Sequence, residues 1–116
     1  MILFGIPNCN TVKKAKDWLK KNNIDFQFHD FKKSGIDELK LNQWCDVFGW
    51  EKLLNKKGTT FKKLSLEEQA AIDSQERAVE FLKLKTSAIK RPILEKDGAA
   101  VLISFDKEQY AQLFGL

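Results

Sequence analysis

The first part of the chain arranges its hydrophobic and polar residues in two different periods. An apolar run over residues 1–6 predicts a buried strand. Apolar residues at helical spacing, with lysines between them, then predict a helix that Asn8 or Asn10 caps and that ends near residues 22–23. Polar and aromatic residues alternate over residues 25–31, which predicts a second strand. A strand, a helix and a strand within so short a segment are typical of a right-handed parallel βαβ unit.

The middle of the chain, at about residues 34–88, has a helical pattern. Ser34 or Asp37 can begin a helix there, and Gly49 can end it. Ser65 is followed three residues later by a glutamate, which is typical of a capping box at the start of a further helix. We therefore expect a helical insertion between the βαβ unit and the end of the chain.

The end of the chain returns to strands. Residues 92–95 and 99–105 flank Asp97-Gly98, a pair that favours a tight hairpin turn. Asp106 can cap a last helix. The predicted fold class is therefore α/β, with a mixed sheet built from a βαβ unit, a helical insertion, a β-hairpin and a C-terminal helix. A length of 116 residues indicates a single domain over residues 1–116.

The composition excludes several classes of protein. Hydrophobic residues make up 43% of the chain, which is enough for a core and excludes intrinsic disorder. No apolar run approaches the roughly 18 residues of a membrane span, and the first residues lack the features of a signal peptide. Two cysteines are too few for a disulfide scaffold, and a single histidine argues against a zinc site. We expect a cytoplasmic protein with no bound metal and no membrane partner.

The charge leaves two interpretations open. There are 20 lysines and arginines against 16 acidic residues, so the net charge is +4. Lysines are dense over residues 13–21 and 56–63. They are either solvated side chains on helix faces and loops or part of a site for a small acidic ligand. Because the surplus comes from lysines scattered among acidic residues, we do not expect a nucleic acid as the partner.

Cys9 is the residue best placed for chemistry. It stands between the first strand and the first helix, where unpaired amides and the helix dipole stabilise a thiolate and lower the pKa of a thiol. Lys13, one turn further on, would add positive charge, and Asn10 and Thr11 would offer side-chain donors. Inert burial, the common state of cysteines, is the alternative. Cys45 lies inside a helical pattern, and we expect it to be inert.

Three segments together resemble one known family. They are Ile6-Pro7-Asn8-Cys9-Asn10-Thr11 after the first strand, Arg91-Pro92 before the hairpin, and the stretch over residues 49–64. In order and spacing the chain is similar to the arsenate reductase-like (ArsC/Spx) family of the thioredoxin superfamily, and especially to its short bacterial YffB-type branch. The resemblance implies a thioredoxin-like sheet with a helical insertion, and a cis peptide bond before Pro92 beside the Cys9 loop.

The same resemblance implies roles for single residues. Cys9 matches the nucleophilic cysteine of the family. Arg91 matches the arginine that precedes the cis proline and binds the oxyanion. Lys13 falls where the reductases carry a basic residue just after the cysteine loop.

Three positions depart from the pattern of the arsenate-reducing members. Asn55 and Ser104 stand where two further arginines help to hold the oxyanion, and Gly5 stands in place of a histidine. Lys56 and Lys57 could supply positive charge, although a lysine does not reproduce a bidentate arginine contact. These departures argue against arsenate as the physiological substrate.

Two functions from different classes remain. The first is a glutathione-dependent reductase of thiols, disulfides or oxyanions, in which the Cys9 thiolate attacks the substrate and glutathione resolves the adduct. Val12 stands where a resolving cysteine would be, which favours this scheme with a single cysteine. The alternative is an Spx-like regulator that binds RNA polymerase without turnover. A retained fold with another activity is a third alternative.

For the reductase we expect glutathione as co-substrate, glutaredoxin as a further partner and no bound cofactor. Basic side chains would hold the carboxylates of glutathione. The predicted catalytic residue is Cys9, and the residues predicted to bind substrate or glutathione are Asn8, Asn10, Thr11, Lys13, Lys57, Arg91 and Pro92.

Overall fold

Two stretches that are distant in sequence, residues 1–34 and 91–116, fold together as one unit, and residues 35–90 form a second. We call them the sheet unit and the helical unit. The structure is a computed structural model that describes residues 1–116. The helical unit covers nearly the same residues as the predicted insertion, whereas the single domain over the whole chain stays a prediction. None of the helices combines the length and the apolar character that crossing a bilayer requires.

The sheet unit is built on one mixed sheet with the strand order β2-β1-β3-β4. β1 runs parallel to β2, with Leu3 opposite Phe28. β3 runs antiparallel to both β1 and β4. The predicted α/β class with an early parallel pair and a late antiparallel pair is therefore confirmed. The strands are β1 (Ile2–Gly5), β2 (Gln27–Asp30), β3 (Ile93–Lys96) and β4 (Ala99–Ile103).

The first helix, α1, spans Asn10–Lys21, and its cap lies one residue away from either predicted cap. Its N-cap is Cys9, whose extended backbone (φ −118°, ψ 124°) precedes the helical Asn10. The prediction of Asn8 or Asn10 as the cap is wrong, because Asn8 belongs to the preceding turn and Asn10 already lies inside the helix. The predicted end is confirmed, with Asn23 in the left-handed region at φ 57°.

The second strand is shorter than the predicted residues 25–31. β2 ends at Asp30, and Phe31 begins a short helical turn, α2 (Phe31–Ser34). The Asp30 carboxylate accepts hydrogen bonds from the backbone N–H groups of Lys32 and Lys33 at 3.0 and 3.1 Å. An aspartate in this position favours a turn over a continued ladder, since it satisfies the amides locally.

The hairpin turn and the last helix form as predicted, but β4 ends at Ile103 and not at residue 105, because Ser104 has a positive φ. Asp97 (φ 54°) and Gly98 (φ 82°) both have positive φ, which a two-residue hairpin turn of this twist requires. Asp106 caps the last helix by accepting from the backbone N–H groups of Glu108 and Gln109. Between the sheet, α1 and the last helix lies a core cluster of fully buried side chains, namely Leu3, Ala15, Leu19, Leu94 and Tyr110.

The helical unit contains five short helices and one turn of 3₁₀ helix. Asp37, not Ser34, is the first N-cap, with its carboxylate 2.7 Å from the backbone N of Lys40. Ser65 forms the predicted capping box with Glu68. The helices of this unit are α3 (Glu38–Phe48), α4 (Trp50–Leu53), α5 (Thr59–Lys62), α6 (Leu66–Ala71) and α7 (Gln75–Leu84), followed by the 3₁₀ turn Thr86–Ala88; α8 (Lys107–Leu113) belongs to the sheet unit.

Candidate active site

Cys9 occupies the junction between β1 and α1 in the sheet unit, and its thiol is free and half-buried. As the N-cap residue it faces the first backbone N–H groups of α1, which have no partners within the helix. The thiol makes no capping hydrogen bond of conventional geometry. The amides of Val12 and Thr11 are nevertheless close enough to favour the ionised sulfur. A thiolate therefore fits this position better than a thiol does.

Arg91 brings the second positive group to the same sulfur from the other end of the sequence. It stands two residues before β3, and its guanidinium donates toward the Cys9 sulfur. Partial burial raises the pKa of the Cys9 thiol, but the Val12 amide, the Arg91 hydrogen bond, the Thr11 amide and the Arg91 charge together outweigh it. The pKa of Cys9 consequently lies below its ordinary value.

The peptide bond that joins Arg91 to Pro92 is cis, as the family resemblance implies. Pro92 is buried, and its carbonyl accepts a hydrogen bond from the backbone N–H of Ser104 at 2.8 Å. Ser104 has a positive φ of 64°, which is uncommon for a residue with a side chain. The loop that carries Arg91 is thus tied to the end of β4.

A close packing of β1 against α1, which was not predicted from the sequence, also positions Cys9. Val12 is fully buried, and a Cβ added to Gly5 would lie only 2.8 Å from its Cγ2 atom. A side chain at position 5 would therefore require the Val12 side chain or the start of α1 to shift. The available signal was a glycine inside a strand pattern, which often marks a close approach of another segment.

The other predicted site residues make smaller or different contributions. Asn8, Asn10 and Lys13 are exposed, and Thr11 is half-buried. Contrary to expectation, Lys13 is not among the groups that shift the pKa of Cys9. The backbone of Thr11 acts there in place of its hydroxyl, because amides at the start of a helix point along its axis towards the cap.

Two further predicted positions lie in the helical unit. Lys57 is exposed in the turn before α5, and its part in ligand binding stays a prediction. Asn55 is half-buried just before that turn, and its backbone N–H donates to the Ala88 carbonyl at 2.8 Å. Both residues belong to the helical unit, whereas Cys9 and Arg91 belong to the sheet unit.

Cys45 occupies a different environment in the middle of α3. Only 3% of its surface is exposed. Burial first, and then the charge of the neighbouring Asp46, raise the pKa of the Cys45 thiol to about 11. This agrees with the prediction of an inert packing residue. No three or more histidine, cysteine or acidic side chains are grouped so that they could hold a metal ion.

Comparison with known proteins decides the family. The profile of the ArsC family matches residues 4–113. The chain belongs to the ArsC family. An uncharacterized protein of Haemophilus influenzae is 39% identical over 112 residues, which cover 97% of this chain and 96% of the relative. A more distant relative, the global transcriptional regulator Spx of Streptococcus pyogenes, is 28% identical over 92% of this chain and 79% of its own length.

Solved structures of ArsC relatives share the architecture. The YffB (PA3664) protein has 40% identity and a TM-score of 0.89, covering 96% of both chains. An arsenate reductase (ArsC) related protein from Brucella melitensis has 41% identity and a TM-score of 0.77, covering 99% of this chain and 94% of its own. The mixed four-stranded sheet is therefore the thioredoxin-like fold of the ArsC family, as the sequence resemblance implied.

Proposed function

We propose that this ArsC-family protein is a glutathione-dependent thiol reductase with Cys9 as its only nucleophile. The observation that carries the proposal is the convergence of two helix amides and the Arg91 guanidinium on the Cys9 sulfur, which lowers its pKa. A thiolate is the reactive form in thiol–disulfide exchange. Cys9 is also partly accessible, whereas Cys45 is buried and protonated at neutral pH.

The reaction proceeds through two exchanges that conserve electrons. The Cys9 thiolate attacks the glutathione sulfur of a mixed disulfide, forms a Cys9–glutathione disulfide and releases the substrate thiolate. A second glutathione thiolate then attacks that disulfide, releases the Cys9 thiolate and leaves as oxidised glutathione. The substrate sulfur is reduced to a thiol and the sulfur of the incoming glutathione is oxidised, while the other sulfur of the oxidised glutathione comes from the original mixed disulfide.

The second exchange needs a thiol from outside the chain. Val12 stands one helical turn after Cys9, where a resolving cysteine would be, and its side chain is fully buried against β1. Cys45 is buried and has a raised pKa. Glutathione, or a glutaredoxin, fits this requirement.

Binding of glutathione is assigned to groups around Cys9. Arg91 would pair with a carboxylate of the tripeptide, since a guanidinium forms charge-assisted hydrogen bonds with carboxylates. Lys13 lies on the same side of α1 as Cys9 and would add a second positive charge. Asn8, Asn10 and Thr11 would contribute polar contacts, and Pro92 would border the tripeptide.

Reduction of arsenate is less well supported by this site. Ser104 and Asn55 are neutral, and Gly5 has no room for a side chain. A tetrahedral oxyanion would therefore meet one guanidinium, Arg91, within the sheet unit near Cys9. One arginine with two amides suits a thiolate and a carboxylate better than it suits a multiply charged oxyanion.

The deciding experiment is a glutathione assay on three proteins: the natural sequence, Cys9→Ser and Cys45→Ala. The assay follows the reduction of a glutathione mixed disulfide, coupled to glutathione reductase. We expect turnover to fall about a thousandfold or more in Cys9→Ser and to stay within about twofold in Cys45→Ala. Equal rates for the natural sequence and Cys9→Ser would overturn the proposal.

A second candidate is a regulator of transcription that binds RNA polymerase without turnover. The similarity to Spx of Streptococcus pyogenes supports it. The test is affinity capture of purified bacterial RNA polymerase by the tagged protein, with Cys9→Ser as the matched variant. Capture together with absent turnover would favour the regulator, and turnover without capture would favour the reductase.

A further inference from the structure

A row of lysines extends from Cys9 along one side of α1. Lys13, Lys16 and Lys20 follow Cys9 at intervals of four, three and four residues. In a helix with 3.6 residues per turn, these intervals place the residues on one face. Lys13 and Lys20 are exposed, and Lys16 is half-buried. The other lysines of α1, Lys14 and Lys21, fall outside this row.

The far end of the row opens into a cavity of about 530 Å³ in the sheet unit. Lys16 and Lys20 line its basic side, and Ile24, Phe26 and Phe28 line its apolar side. The Lys16 ammonium lies 3.5 Å from the centre of the Phe28 ring, a cation–π contact that fixes the amine at the rim. Asp25 is the acidic residue of the lining. The cavity therefore combines positive charge with aromatic surface.

We propose that this row and its cavity bind an acidic polypeptide segment whose cysteine reacts at Cys9. Acidic side chains of the segment lie over Lys13, Lys16 and Lys20, and an apolar side chain enters the cavity beside Phe26 and Phe28. The inference rests on the proposed function, since Cys9 supplies the thiolate. It identifies the substrate as a protein disulfide or a glutathionylated protein with acidic residues near the modified cysteine.

Length separates a polypeptide from a small thiol. At 1.5 Å per residue, the helix places Lys20 about 16 Å along the axis from Cys9. A tripeptide such as glutathione spans at most roughly 11 Å, and its sulfur lies at the middle residue. Glutathione held at Cys9 therefore reaches Lys13 and not the cavity. An extended segment of about five residues covers the whole distance.

Charge favours an acidic partner over a neutral one. α1 carries five lysines and one aspartate over Asn10–Lys21. Opposite charges across an interface raise the association rate and fix the register of the partner, while single exposed pairs add little affinity each. The apolar side of the cavity supplies the part of the binding that does not depend on salt.

The test measures exchange at Cys9 with two activated disulfides. The long substrate is a synthetic peptide whose cysteine is disulfide-bonded to thionitrobenzoate, with glutamates along the chain and a phenylalanine five residues from the cysteine. The short substrate is glutathione activated in the same way. In both, the Cys9 thiolate attacks the peptide or glutathione sulfur, and the coloured thionitrobenzoate leaves with the electron pair, so its release gives the rate.

Two double variants with the same change of charge are compared. Lys16→Gln/Lys20→Gln removes the far end of the row, and Lys14→Gln/Lys21→Gln removes two lysines of α1 outside it. We expect the first pair to slow the long substrate roughly five- to tenfold and the control pair to slow it less than twofold. The short substrate serves as the reference within each protein. A long peptide with glutamines in place of glutamates keeps its phenylalanine, so it should react more slowly than the glutamate peptide and be slowed less by Lys16→Gln/Lys20→Gln.

The outcomes separate the two proposals. If both double variants slow the long substrate equally, or if neither slows it, the proposed role of the lysine row is overturned while Cys9 remains the nucleophile. If no thionitrobenzoate is released from either substrate, the proposed reductase function is overturned as well. Titration of the Cys9→Ser protein with the reduced long peptide, followed by NMR, gives a second measurement that does not depend on exchange. Shift changes confined to residues other than the row and cavity would also overturn the inference.

Discussion

The two cysteines of this protein show how position in a helix decides the state of one functional group. Cys9 caps the start of α1, where amides and Arg91 lower the pKa of its thiol. Cys45 lies inside α3, where burial and the charge of Asp46 raise the pKa to about 11. Burial acts in the same direction on both thiols. The difference therefore comes from the oriented amides and the guanidinium at Cys9 and from the acidic neighbour Asp46 at Cys45.

The same contrast separates the caps of two helices. Ser65 caps α6 with a complete capping box, an arrangement that stabilises the helix. Cys9 occupies the equivalent position of α1 and makes no conventional capping hydrogen bond. A thiol is a weaker acceptor than a hydroxyl, so α1 forgoes some stability at the site where its amides face the reactive sulfur.

The largest predicted difference between the two regions is in alkylation. The alkylation rate of Cys9 should rise with pH to a plateau. The midpoint of this rise should lie below the ordinary pKa of cysteine, about 8.5. With a pKa of about 11, Cys45 is ionised to about one part in a thousand at pH 8, and burial slows it further. Mass spectrometry after iodoacetamide treatment across pH 5 to 10 measures both. Comparable labelling of the two cysteines in the folded protein would contradict the comparison.

Glycine-to-alanine substitutions, one in each unit, compare how tightly the chain packs around the two glycines. Gly5→Ala places a Cβ 2.8 Å from the fully buried Val12, so we expect a loss of about 1–3 kcal/mol in the free energy of unfolding. Gly58→Ala meets the end of the Asn55 side chain at 2.9 Å, which can rotate away. Its effect should stay within about 1 kcal/mol. Urea unfolding of both variants measures the difference.

A second substitution tests the cause in the sheet unit. In the Gly5→Ala background, Val12→Ala should recover part of the lost stability, because it removes the two methyl groups nearest the new Cβ. Additive losses in the double variant would mean that the contact is not the reason.

Removal of Arg91 should make the two cysteines less different in thiol pKa and in alkylation rate. In Arg91→Ala the pKa of Cys9 rises, because the hydrogen bond and the charge of Arg91 both favour the thiolate. We expect alkylation of Cys9 at pH 7 to slow roughly three- to tenfold, with Cys45 unchanged. Arg91→Lys keeps the charge and loses the fork of donors, so its rate should be intermediate. If the midpoint of the pH dependence of Cys9 alkylation is unchanged in both variants, Arg91 does not stabilise the thiolate.

The smallest predicted effect is on the stability of α1. In acid, Cys9→Ser should raise the free energy of unfolding by about 0.5–1 kcal/mol, because serine is a better cap than a neutral thiol. The Cys9 pKa is depressed on folding, so its thiolate adds stability above the unfolded pKa and loses it as the pH falls through the folded pKa. The advantage of serine should therefore shrink as the pH rises through that window.

The matched control for this cap is Ser65→Ala in the helical unit. It should lower the free energy of unfolding by about 0.5–2 kcal/mol, independently of pH above 6. Thermal unfolding at pH 5 and pH 9 distinguishes the two cases. A Cys9→Ser protein less stable than the natural sequence at pH 5 would show that the thiol is itself the better cap.

Local patterns were enough for the elements whose chemistry is local. The Asp97-Gly98 turn, the Asp106 cap and the Ser65 capping box form as predicted, since each depends on residues within a few positions. The ends of the strands and helices were harder to predict from local patterns. Residues 25–31 have strand periodicity throughout, yet Asp30 satisfies the next amides and ends β2 early.

By itself, the sequence determined the α/β order of elements, the position of Cys9 before a helix and the family. Only the tertiary structure decided what surrounds the sulfur. Arg91 approaches Cys9 because β1 and β3 pair, and no local pattern encodes that distance. The close packing of Gly5 against Val12 likewise exists only in the fold. Helix periods are set within a few residues of chain, whereas the pKa of a thiol depends on charges and burial in space.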